Sequence, residues 1–148
     1  MNNTSNKYWI IGKHAVNAAI NNPDRKKYRL CITKDIKLKN DIKELIPEIL
    51  TRDQISKIIS SNAAHQGVAL QVENLKSLNI NDFIIKNENN KKNIIIILDQ
   101  ITDTQNIGAI MRSAQAFSVK GIICQEKNSP KENTHISKAA AGAIENIP

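Results

Sequence analysis

Residues 93–124, NIIIILDQITDTQNIGAIMRSAQAFSVKGIIC, constrain the fold more than any other part of this 148-residue chain. Residues 94–98 form an unbroken apolar run of mostly β-branched side chains, the pattern of a parallel strand covered on both faces. Polar residues 99–104 end it. From Gln105 onward, Ile107, Ile110, Met111, Ala114 and Phe117 recur at helical spacing and predict one core-facing stripe. The run GIIC at 121–124 then reads as a second buried strand. Strand, helix and strand in this order make half of a nucleotide-binding-type α/β unit. A second stripe on the same helix differs in kind. Gln105, Ala109, Arg112 and Ala116 fall at i, i+4, i+7 and i+11, so one arginine stands between alanines on the face turned away from the strand. Such small neighbours leave room for something to approach the guanidinium.

The rest of the chain alternates in the same way. After a tail at 1–7, YWII reads as a strand, 13–20 as a helix stopped by NNP at 21–23, and 28–33 as a second strand. A helix within 39–46, a short strand at 48–50, a helix at 53–59 capped by Thr51 or Asp53, and an alternating strand at 68–73 follow. Elements of this length predict a small α/β sandwich over 8–75. Residues 76–92 turn polar and read as a linker with one short helix near 82–85. The second unit, 93–148, has only two clear strands and two helices, too few for an independent parallel sheet, since the helix at 105–117 covers one strand face only.

A net charge of +7 and a pI near 9.5 suit an RNA partner, because lysine and arginine neutralise phosphates. The signal is discounted by heavy use of Lys, Asn and Ile together, which an AT-rich coding sequence produces without selection for binding. Aromatic residues are scarce, which leaves only Tyr8 and Trp9 as a base-stacking platform. Cys31 and Cys124 sit in apolar runs and are expected as buried, reduced thiols. His14, His65 and His135 have no second ligand at metal-site spacing, so no metal is expected. With no signal peptide and no apolar stretch near the length of a membrane span, the expected location is the cytoplasm.

The segment DTQNIGAIMRSAQAF, 103–117, closely resembles the first motif of the SpoU (TrmH-type) RNA 2′-O-ribose methyltransferases of the knotted SPOUT class. GKHAVNAAI at 12–20 and HQGVALQV at 65–72 resemble two signatures of that family's N-terminal substrate-binding domain, and KAAAGAIENIP at 138–148 resembles its next segment. Four matches in the right order span nearly the whole chain. Thr104 stands at the usual proline and Ser118 at the usual glycine, which loosens the entry and exit of the helix without removing a reacting group.

The resemblance implies a ribosomal-protein-like RNA-binding domain linked to the first half of a knotted, Rossmann-like SPOUT domain. It further implies S-adenosylmethionine as cofactor, a homodimeric complete enzyme, and ribosomal RNA as substrate, a guanosine of 23S rRNA being closest to this domain arrangement. The segments that form the knot and cradle the cofactor would follow Pro148, so the chain reads as an N-terminal fragment.

On the same resemblance the central catalytic residue is Arg112. A guanidinium is a poor base, so its physical role is to clamp the substrate phosphate or developing alkoxide, unless its surroundings perturb it enough to act as base. Its bland alternative is a solvated arginine paired with a carboxylate. Asn106 either orients Arg112 and donates to the ribose or serves as a helix cap. Gly108 admits a backbone or ligand, or reflects tight helix-to-strand packing. Glu145 either supports Arg112 by an ion pair or is an exposed acid. Lys13 and His14, where a strand opens into a helix, and His65 and Gln66, in a polar turn, are candidate RNA contacts, with His65 capping its own turn as the alternative. Two rival functions remain: a non-catalytic RNA-binding module, and a generic Rossmann-type nucleotide binder, disfavoured because no G-x-G-x-x-G follows 94–98.

Overall fold

The computed structural model describes residues 6–38, 45–60, 64–88 and 92–148. In the first unit, β1 (Lys7–Ile11), β2 (Lys27–Ile32), β3 (Glu48–Ile49) and β4 (Val68–Glu73) form one sheet in the order β1-β4-β2-β3. β4 runs antiparallel to both β1 and β2, and β2 is parallel to β3. Period-two alternation then sorts the side chains onto two faces. Ile10, Leu30, Ile32, Val68, Leu70 and Val72 meet Ala15, Val16 and Ala19 of α1 (Lys13–Asn21), while Ile11, Cys31 and Ala69 meet Ile55 and Ile59 of α2 (Arg52–Ile59). This is the expected sandwich, with one helix on each face.

Local chemistry sets the ends of these helices. The Thr51 side chain accepts from the Gln54 amide at 3.3 Å and the Gln54 side chain accepts from the Thr51 amide at 2.8 Å, a reciprocal capping box. The helix anticipated within 39–46 falls largely on 39–44, outside the described residues.

The second unit pairs β5 (Ile95–Leu98) with β6 (Gly121–Cys124) in parallel and lays α4 (Thr104–Ala116) and α5 (Thr134–Ala140) against them. Leu98, Ile107, Ile136, Ala140 and Ile144 are buried together, with Ile96, Ile110, Met111 and Ile122 at their margin. The expectation that the strand at 94–98 is covered on both faces is not met. Ile95 and Ile97 point away from α4 and are 40% and 72% exposed, because α4 covers a single face. Part of the other face is covered by α3 (Ile80–Asn87), the helix anticipated in the linker: a Cβ on Gly121 would lie 2.7 Å from the Phe83 ring.

Three further expectations are corrected by this arrangement. Phe117 is 76% exposed rather than part of the core stripe, since α4 ends at Ala116 and the chain turns away at Ser118. Cys124 is exposed at the end of β6, whereas Cys31 is buried; both are free thiols. Tyr8 is engaged by Glu132 and is no stacking platform. No helix among the described residues is long and apolar enough to cross a membrane.

The two units are packed together. α5 lies against β1 and also touches α1. Between them Arg25, only 2% exposed, donates through Nε and Nη2 to Glu145 at 3.1 and 2.7 Å, through Nη1 to the Glu73 carbonyl at 2.7 Å, and pairs with Glu132 at 2.5 Å. Asn22 Nδ2 donates to Glu145 at 2.8 Å, and the Tyr8 hydroxyl donates to Glu132. Burial opposes the charge on Arg25, but its hydrogen bonds to Glu145 and Glu132 outweigh that and raise its pKa.

Candidate functional site

Asp103 starts α4 by accepting from the Gln105 amide at 2.8 Å, so the helix keeps an N-cap although Thr104 replaces a proline at its first position. The preceding loop and the first turns of α4 enclose an open depression of about 490 Å³, lined by Gln100, Ile101, Thr102, Asp103, Asn106, Ala109 and Ile110. It lies beyond the carboxyl end of β5, where parallel α/β sheets take their ligands. Asn106 is exposed at this depression, and since Asp103 is the cap, Asn106 is not.

Arg112 lies one turn beyond Ala109 and is exposed. Of the chain's four arginines, Arg25, Arg29 and Arg52 hold carboxylates, while Arg112 has no hydrogen bond or ion pair among the described residues. The solvated-pair alternative thus finds no partner among the described residues. Nor is Arg112 oriented by Asn106: six residues along a helix separate side chains by about 9 Å of rise and a third of a turn, and no hydrogen bond joins the two.

Two supporting roles are corrected by the packing. The Glu145 side chain is 2% exposed and is held by Arg25 and Asn22, so it braces the junction of the two units and neither pairs with Arg112 nor lies exposed. Gly108 makes room for a backbone rather than a ligand, and that backbone belongs to a helix rather than a strand. A Cβ there would lie 2.4 Å from the Ala139 Cβ and 2.8 Å from the Ala140 nitrogen. A substituted residue 108 would therefore force α4 and α5 apart.

At the first unit, the two signatures meet. Gln66 Oε1 accepts from the Lys13 amide at 3.1 Å, which joins the turn at 65–67 to the start of α1. Gln66 and Gly67 both have positive φ, 55° and 76°, and a Cβ on Gly67 would strike Thr33 Oγ1 at 2.5 Å. Lys13 and His14 are exposed beside this turn. His65 is not. It is 7% exposed, its Nδ1 accepts from the Gly67 amide at 3.1 Å, and its Nε2 faces Ser56 Oγ at 3.1 Å, so it caps its own turn instead of reaching RNA.

Burial, then the charges of Arg52 and Lys138, hold the His65 pKa below its ordinary value. A histidine with a depressed folded pKa stabilises the fold above its unfolded pKa of about 6.5 and loses that contribution as pH falls through the lower folded value. Urea unfolding across pH 7.5 to 4.5 should therefore show stability falling below about 6.5, with a shallower fall in His65→Ala. An unchanged slope in the variant would assign the acid sensitivity to other groups.

Comparison with known proteins places both signatures in one lineage. Residues 9–78 match the RNA 2′-O ribose methyltransferase substrate binding family, and residues 93–148 match the SpoU rRNA Methylase family. Both units of the chain thus match SpoU-type methyltransferases. It is 33% identical, over 94% of its length, to an uncharacterized tRNA/rRNA methyltransferase of Synechocystis sp., of which it spans 38%. A Bacillus subtilis protein assigned to the TrmH family of tRNA/rRNA methyltransferases is 29% identical over 95% of the chain, which spans 59% of it. The SpoU methyltransferase AviRb of Streptomyces viridochromogenes, solved with AdoMet, superposes with a TM-score of 0.71 at 17% identity, over 97% of this chain and 54% of that one. An AdoMet-bound rRNA methyltransferase of Sinorhizobium meliloti gives 0.71 at 20% identity, over 97% and 53%. The chain thus spans between about a third and three fifths of these longer proteins.

Within the SpoU motif, Ser118 occupies the glycine position at φ 55°, and the helix exit survives because the Val119 amide donates to the Ala114 carbonyl at 2.9 Å. Sequence reasoning missed Arg25 and Glu132, which no local pattern marks, and Lys138, which was legible only as part of a motif.

Proposed function

We propose that this chain is the RNA-gripping unit and first catalytic segment of an S-adenosylmethionine-dependent ribose 2′-O-methyltransferase acting in the cytoplasm on large-subunit ribosomal RNA, with a guanosine as target and a homodimer as the complete enzyme. The observation that carries the reading is Arg112, a guanidinium with no carboxylate at ion-pair distance among the described residues, exposed between Ala109 and Ala116 one turn from the depression that Asn106 lines.

In the reaction, the ribose 2′ oxygen bonds to the methyl carbon, the carbon–sulfur bond breaks, and the hydroxyl proton leaves to base. S-adenosylmethionine supplies the electrophilic methyl group. Arg112 is placed to stabilise charge that develops on the 2′ oxygen or sits on the adjacent phosphate, and Asn106 to donate to the ribose. The fork of a guanidinium suits a bidentate grip on phosphate.

The match of residues 9–78 to a substrate-binding family supports a second reading in which the chain acts as an RNA-binding module without catalysis. Calorimetry with the purified 148-residue chain separates the two from the alternative of a self-sufficient enzyme. We expect no saturable binding at micromolar S-adenosylmethionine, together with salt-dependent binding of structured ribosomal RNA. Saturable cofactor binding would contradict the assignment of the cofactor site to other sequence, and an absence of RNA binding at low salt would contradict both readings.

A further inference from the structure

The register of the first sheet gathers its polar connections onto one edge. Ile11 pairs with Ala69, and Ile32 pairs with both Val68 and Ile49, so the ends of β1, β2 and β3 and the start of β4 lie side by side. The residues that follow are Lys13 and His14, Lys34, and Arg52, all exposed. Hydrogen bonds fix their proximity: Lys13 to the Gln66 side chain at 3.1 Å, and Thr33 to the Gly67 carbonyl at 2.9 Å.

Another cation reaches the same edge from the other unit. α5 packs against β1 and α1, and the chain leaves it at Gly142, where a Cβ would lie 2.7 Å from the Ala18 Cβ and 3.4 Å from the His14 carbonyl. Lys138 sits one turn before that contact, its carbonyl accepting from the Ala141 amide at 3.2 Å. Its charge and that of Arg52 are both felt by His65 at the centre of the edge. Among the described acids, Glu132 and Glu145 face inward onto Arg25, whereas Asp35 pairs with Arg52 at 3.5 Å on the edge itself and Asp53 lies on the first turn of α2. Neither Lys138, Lys13 nor Lys34 has a carboxylate at ion-pair distance among the described residues.

We propose that Lys138, on a helix of the SpoU segment, completes the RNA-binding edge formed by Lys13, His14, Lys34 and Arg52, so that one structured RNA is held by both units at once. The inference rests on the RNA-binding reading above and adds a contact from outside the substrate-binding unit. Separate point charges on separate loops grip backbone phosphates rather than base edges, so the contact positions the RNA without reading its sequence. An RNA spanning both units would be fixed relative to α4, which packs directly on α5.

The test is equilibrium binding of the 148-residue chain to a labelled, structured 23S rRNA fragment across a series of salt concentrations. Lys138→Gln should weaken binding about fivefold near 0.1 M salt and reduce the magnitude of the log–log salt slope by about 1, as for one lost phosphate contact. Lys13→Ala should do the same. Lys138→Arg should retain affinity, and Lys120→Gln, beyond α4, should leave it unchanged. If Lys13→Ala weakens binding while Lys138→Gln does not, the RNA reading stands and the two-unit edge is overturned. If neither changes affinity or slope, the RNA reading of this edge falls with it.

Discussion

In a chain extended through the remaining SpoU segments of its longer relatives, Arg112→Ala should fold normally and lose methyl transfer by a factor of about 100 or more, the scale of removing one charge-stabilising group from a transition state. Normal folding is expected because the side chain is exposed and makes no hydrogen bond or ion pair among the described residues, and alanine favours a helix at least as well. Arg112→Lys separates the possible roles. Lysine keeps the charge but lacks the planar fork, so poor rescue indicates bidentate positioning and good rescue a point charge. Near-normal turnover in Arg112→Ala, with a lowered melting temperature, would return this arginine to a structural role.

The largest effect on stability should come from Arg25. Its replacement by alanine leaves Glu145, with 2% side-chain exposure, and Glu132, with 12%, without their cation, and breaking a buried pair from one side costs about 3–5 kcal/mol. Urea unfolding should show this as a lowered midpoint. Removing acid and base together, as in Arg25→Met with Glu145→Leu, should cost less than Arg25→Met alone, because fewer buried charges are left unpaired. A loss below about 1 kcal/mol in Arg25→Ala would mean that water reaches the carboxylates and that the junction between the units is loose.

Arg25 also marks the limit of what the sequence showed. The first unit was legible because its signals are local: alternation in β4, the cap residue Thr51 before α2, and the strand-to-helix opening at Gly12. The register that joins GKH to HQG was not written in either segment, yet both were singled out as polar turns entering regular elements. Arg25 follows Pro23 and Asp24 in what reads as a solvated turn, and its partner Glu145 is 120 residues away. No periodicity reports such a pair, so from sequence Glu145 reads either as a support for Arg112 or as an exposed acid.

The second unit was misread where burial depends on what covers a face. Residues 94–98 have the composition of a strand buried on both sides, but α4 supplies one layer and α3 only part of another, which leaves Ile97 in solvent. Phe117 fits the helical stripe by spacing and fails by position, since the helix stops just before it and Ser118 takes the chain into the left-handed region. Gly108 was correctly read as a point of close approach, but only the packing of α5 reveals that the neighbour is the backbone of a helix.

The reading as a ribose methyltransferase is tested most directly by the chemical position of the transferred methyl. The extended chain, given S-adenosylmethionine carrying a labelled methyl group and unmodified 23S rRNA, should place the label on a ribose 2′ oxygen. Nucleoside analysis by mass spectrometry should recover it in 2′-O-methylguanosine, and Arg112→Ala should abolish it. Label recovered on a base, or none from a folded protein that binds both cofactor and RNA, would contradict the account.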